Sequence, residues 1–108
     1  MNLEELYSTT QTKFSFDEKN YPPLSLIQGS EQDAFVLRHI LIHQQKVLGK
    51  IASVVESMDH GDPLDKEFLI SQSVKLFTNI LQFAGKAGVS FNEFENGLIN
   101  WNKSIDVE

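Results

Sequence analysis

Two long amphipathic stretches, Ser30–Asp59 and Asp62–Ala87, are separated only by His60-Gly61 and leave this chain few folds to choose from. In the first, Phe35, Leu37, Ile40, Leu41, Leu48, Ile51, Val54, Val55 and Met58 recur at spacings of three and four, the period of a helix. They cover a wide face, which calls for more than one packing neighbour. In the second, Leu64, Phe68, Leu69, Val74, Phe77, Ile80, Leu81 and Ala84 continue the core face. So short a connection makes the two helices an antiparallel hairpin.

Local signals bound these helices. Ser30 with Asp33 reads as a capping box, with Asp in place of the usual Glu. His60-Gly61 is the stop, because glycine tolerates the left-handed position after a helix. Asp62 reads as the next N-cap and Pro63 as the first helical residue. Gly88 ends this helix, and Ser90 with Glu93 opens another through a second capping box. That last helix has Phe91, Phe94, Leu98, Ile99 and Trp101 on its apolar side, with its aromatics read as core. Gly97 within it marks a close crossing or nothing.

Upstream, residues 2–13 form a short first helix with Asn2 as N-cap and Glu4 and Glu5 in the first turn. Phe14–Gly29 is an irregular arm, because Pro22-Pro23 cannot sit inside a helix. The arm is apolar at Phe14, Phe16, Tyr21, Leu24, Leu26 and Ile27, so it lies across the helices or across a second subunit.

The architecture is therefore all-α: a central helix hairpin, short N- and C-terminal helices and a proline-containing arm. Residues 1–108 make one domain, with helix and arm over 1–29 and a helical core over 30–103. Wide apolar faces and an apolar arm on 108 residues point to a homodimer. A net charge of −6 with scattered basic residues argues against nonspecific nucleic-acid binding. No apolar run approaches the length of a membrane span. The N-terminus lacks the apolar segment of a secretory signal, and the absence of cysteine excludes disulfides, thiolate metal sites and cysteine nucleophiles, which fits a cytoplasmic setting.

Each long helix also bears a polar stripe. His39, His43, Lys46 and Lys50 share one face, and Gln72, Lys75, Asn79 and Gln82 share another. A stripe of this kind is either a solvated face or one wall of an anion pocket. His39 and His43 have metal-ligand spacing, but no H-E-x-x-H is present, and a third ligand would have to come from His60 or an acid elsewhere. They are read as surface or interface histidines, with no metal. Glu56, Asp59, Asp62, Asp65 and Glu67 cluster at the turn and serve capping and solubility.

The run from Val74 to Phe94, V-K-L-F-T-N-I-L-Q-F-A-G-K-A-G-V-S-F-N-E-F, resembles the third helix and turn of the MazG-like all-α nucleoside triphosphate pyrophosphohydrolases. That family tends to show a D-V-L-x-Y-L-like helix, a small-residue turn ending in Gly-Ile/Val, then an acidic helix with a late Asn, which Asn102 matches. His43-Gln44-Gln45-Lys46-Val47-Leu48-Gly49-Lys50-Ile51-Ala52 is similar to the family's first motif, where E-E-x-G-E-L-A is usual. The likeness spans residues 35–103. It implies a MazG-like helical fold and, in an intact member, acids on two facing helices that hold Mg²⁺ and activate water.

With Gly49 on the motif glycine, the first acidic positions hold Lys46, Val47 and Lys50, and the second pair becomes Gln72 and Lys75. Lysine carries a positive charge and cannot ligate Mg²⁺, so the usual hydrolysis is expected to be absent or badly crippled. No catalytic residue is assigned, and Mg²⁺ enters only if an acidic site exists elsewhere. The resemblance then implies a divergent member that binds a nucleotide or other phosphorylated small molecule. Lys46, Lys50 and Lys75 would neutralise phosphate; His43, Gln72 and Asn79 would orient it. The alternatives are a protein-interaction or regulatory module on the same scaffold, and an active pyrophosphohydrolase with acids outside the usual motif.

Overall fold

The computed structural model describes residues 1–13 and 16–106, and these are helical with no strand. Helix α1 spans Leu3–Lys13, α2 Ser30–Asp59, α3 Lys66–Lys86 and α4 Phe91–Asp106, with a 3₁₀ turn at Pro22–Leu26. Among the described residues no helix is long and apolar enough to cross a membrane. Phe14, assigned to the arm from sequence, lies outside them.

The helix ends follow from a few side chains and two glycines. The Glu5 N–H donates to Asn2 Oδ1 at 2.8 Å, the N-cap expected for α1. Gly61 (φ 97°) closes α2: its N–H reaches the Met58 carbonyl at 2.9 Å and the Asp62 N–H reaches Ser57 at 3.0 Å. Gly88 (φ 91°) closes α3 in the same way, onto Gly85 and Ala84. Ser90 and Glu93 exchange bonds of 3.0 and 3.2 Å, a complete capping box for α4. These bonds hold the Glu93 carboxyl below its ordinary pKa.

Two helix starts differ from the sequence expectation. Ser30 is not a cap; Gly29 (φ 58°) is, without a side-chain bond, and its carbonyl accepts from the Gln32 and Asp33 N–H groups. Gln32 holds the turn instead, its amide donating to the Leu24 and Ile27 carbonyls at 3.0 and 2.9 Å. Nor do Asp62 and Pro63 open α3. Residues 62–65 leave the Gly61 turn without helical structure, and Asp65 Oδ1 caps the Phe68 N–H at 3.1 Å. The arm is also more ordered than expected, because Pro22 and Pro23 occupy the first turn of a 3₁₀ helix, where no N–H is needed.

Helix α2 packs along α3, and α1 packs on α3. The Gln11 amide donates to the Leu81 carbonyl at 3.0 Å and lies where a Cβ of Gly85 would fall, so glycine there lets the two helices approach. Tyr7 ties α1 to the start of α4. Its hydroxyl donates to the Val89 carbonyl, and its ring meets Phe91 and Phe94 at 5.8 and 5.9 Å. Burial, and then the Glu93 charge, raise the Tyr7 pKa, which keeps the hydroxyl a donor.

The buried apolar side chains among the described residues are Tyr7, Leu24, Ile40, Val47, Val54 and Leu81. Ile40, Val47 and Val54 repeat every seven residues on α2. Leu41, Leu48 and Val55 repeat one position later and lie in the open, Leu48 at 57% exposure. Val74, Phe77 and Ile80 on α3 and Leu64 before it, all expected in the core, are exposed as well. So is Trp101 of α4, at 64%. Phe91, Phe94, Leu98, Trp101 and Ile105 form one stripe, and only its first two residues meet Tyr7. Nothing stands within 4 Å of a Cβ at Gly97, so no close crossing occurs there.

With so small a core, Leu81, at 0% exposure, carries unusual weight. Leu81→Ala should cost about 3 kcal/mol and lower the melting midpoint by about 10–20 °C, readable by circular dichroism. A shift of a degree or two would mean that the α1–α2–α3 junction is not what holds the chain folded.

Candidate functional site

Polar residues on α2 and α3 face each other across a cleft of about 500 Å³. His43, Lys46 and Lys50 supply one wall; Lys75, Asn79 and Gln82 supply the other; Ile40, Val47 and Val74 form apolar parts of the lining. The helices are tied beside it by Gln44, whose amide donates to the Asn79 carbonyl at 3.2 Å. Five of the six residues expected at the site from sequence, His43, Lys46, Lys50, Lys75 and Asn79, therefore come together. Gln72 does not. It lies nearer the α2–α3 connection, only 3% exposed, outside the cleft lining and with Oε1 unpartnered.

The N-terminal segment completes the cleft with Lys13, Phe16 and Tyr21. Phe16 and Tyr21 stack at 5.0 Å and 19°, and the Tyr21 and His39 rings meet in a T shape at 4.7 Å. Phe35 stacks on His39 at 5.8 Å from the neighbouring turn. The apolar arm thus lies across α2, one of the two placements expected from its composition. Sequence reasoning gave it no part in the site. Lys13 is an isolated lysine in the sequence, and the packing of α1 on α3 brings its helix end to the cleft.

Charge is the most selective feature. The chain has nine Lys and Arg and a net charge of −6, yet Lys13, Lys46, Lys50 and Lys75 all line this one cleft. Among the described residues no Asp or Glu lines it. Lys46, Lys50 and Lys75 have no carboxylate within ion-pair distance among the described residues. Burial, then His39, then Lys46 lower the His43 pKa from its ordinary 6.5, so His43 is neutral at neutral pH and can donate or accept a single hydrogen bond.

Chemically, the cleft offers several cations, an amide and a neutral imidazole, beside an aromatic end. Such a set neutralises and hydrogen-bonds an oxyanion. It holds no oxygen ligand set for Mg²⁺, and no group of three His, Cys, Asp or Glu side chains placed for a metal exists among the described residues. His60 is remote from this end of α2 and lies 4.0 Å from Glu56. No family model, curated protein or solved structure matches the chain.

Proposed function

We propose that this protein is a divergent MazG-like helical protein whose α2/α3 cleft binds a nucleotide or other phosphorylated small molecule without Mg²⁺-dependent hydrolysis. The supporting observation is the gathering of Lys13, Lys46, Lys50 and Lys75 around one cleft that no carboxylate among the described residues lines. Lysines at positions where the resembled family has acids exchange a metal-bridged phosphate for a directly bound one. Phosphate oxygens would lie between Lys46, Lys50 and Lys75. Asn79 and His43 would orient them, and Phe16 and Tyr21 offer aromatic surface to the rest of the ligand. An active pyrophosphohydrolase would need acids that the cleft lacks. A cytoplasmic setting fits the cysteine-free composition.

The same reading makes α2 and α3 an antiparallel hairpin and the protein a homodimer. A compact 12.3 kDa monomer exposes about 6,100 Å², whereas this chain exposes 7875 Å², an excess of about 1,800 Å². Its radius of gyration is 16.9 Å, against about 13 Å for a compact chain of this length. A stable interface removes about 800 Å² from each partner. The open apolar lines also favour a second reading, an interaction or regulatory module that uses them to hold a different protein.

A thermal-shift series with nucleoside mono-, di- and triphosphates, each with and without Mg²⁺, separates these readings. Binding to the folded state alone raises the midpoint with ligand concentration. The expected result is stabilisation by a nucleotide that is unchanged by Mg²⁺. A shift that requires Mg²⁺ would revive the hydrolase. No shift with any nucleotide or with inorganic phosphate would sink the anion cleft and leave the interaction module.

A further inference from the structure

Two histidines approach each other closely at the aromatic end of the cleft, one of them the His43 placed beside the proposed phosphate. His39 and His43, one turn apart on α2, turn the same ring atom toward each other and share an Nε2–Nε2 hydrogen bond of 3.1 Å, whose proton a metal ion would replace. Metal–imidazole bonds are about 2.0–2.1 Å long, so two nitrogens on one ion stand about 2.9 Å apart at a right angle and about 3.3 Å apart at a tetrahedral one. The observed separation lies between these limits. We infer that His39 and His43 form a two-imidazole chelate for a late first-row transition-metal ion, Cu²⁺ before Ni²⁺ or Zn²⁺.

Spacing alone does not distinguish such a pair from two surface histidines; the packing around it does. The His39 ring packs against Phe35, at 5.8 Å and 7° from parallel, and against Tyr21, at 4.7 Å and 74°. Its orientation is therefore fixed before any ion arrives, which lowers the ordering cost of chelation. His43 completes the pair at 4.8 Å between ring centroids. Imidazole nitrogens select copper, nickel and zinc over Mg²⁺, and Cu²⁺ heads that order. No third His, Cys, Asp or Glu joins them among the described residues, so the remaining coordination positions face water or an anionic oxygen. The inference does not rest on the phosphate reading, and metal alone is its probe.

The test is Cu²⁺ titration of the untagged full chain near neutral pH, followed by calorimetry and electron paramagnetic resonance. One ion per chain should bind, with hyperfine splitting from two imidazole nitrogens. The double variant His43→Gln/Gln45→His keeps two histidines on α2 but puts them on different faces of the helix. It should bind at least about tenfold more weakly and lose the two-nitrogen signature, with helical content retained. His39→Gln should do the same by removing the partner. Equal affinity in wild type and either variant, or a wild-type spectrum without two nitrogens, would overturn the chelate.

Discussion

Lys50→Glu should weaken binding of a nucleotide or of inorganic phosphate by about 30-fold, or about 2 kcal/mol. Lys50 lines the cleft beside Lys46 and across it from Lys75, with no carboxylate among the described residues of the lining. Reversing its charge removes one attraction and adds one repulsion. At an effective dielectric of about 20, each unit-charge interaction near 4 Å is worth about 4 kcal/mol before screening. Lys50 is an exposed residue, so solvent and salt remove much of that, and the lower figure follows. The loss should shrink as ionic strength rises. Calorimetry at two salt concentrations reads both effects. The same reversal at Lys66, on the first turn of α3 and outside the cleft, should change affinity less than twofold. Unchanged affinity for Lys50→Glu would remove the α2/α3 cleft as the anion site, whatever else the protein binds.

That cleft was half legible in the sequence. A helical period places His43, Lys46 and Lys50 on one face without reference to tertiary structure, and likewise Lys75 and Asn79. Periodicity also placed Gln72 there, because position 72 shares their face. It could not tell where along α3 the cleft closes, and Gln72 falls where its side chain is already buried. Lys13, Phe16 and Tyr21 were out of reach for a different reason, since the packing of α1 on α3 and the return path of an arm are long-range properties. Caps behaved in the same way. Ser90 and Glu93 close a reciprocal pair within four residues and were readable. The start of α3 depends on how the chain leaves Gly61, so Asp62 and Asp65 competed for one role and the later won. Amphipathicity overstated the core for a physical reason. It reports which residues gain by leaving water, not whether one chain has enough neighbours to cover them, and Val74, Phe77 and Trp101 remain uncovered.

The uncovered lines give the other large effect. Leu48→Glu should convert the proposed homodimer to monomer, weakening association by at least about 100-fold, while barely changing the fold of the single chain. The two halves of this expectation come from one number. Leu48 is 57% exposed within the chain, so a polar replacement there leaves no cavity and buries no charge on folding. In an isologous dimer the same patch meets itself, and a two-fold axis near the Leu41–Leu48–Val55 line would bring two new carboxylates into one apolar interface. Desolvating them costs several kcal/mol, or draws water into the contact. Val55→Glu, two turns along the same line, should behave alike. Sedimentation equilibrium reads the outcome directly, as a fall from twice the 12.3 kDa chain mass to the chain mass itself. Helical content should persist, because Ile40, Val47 and Val54 still pack inward. A wild-type chain that sediments as a monomer at high concentration would overturn the dimer. It would also leave about 1,800 Å² of surplus surface to be covered by something other than a second copy, and the interaction module would become the stronger account of this protein.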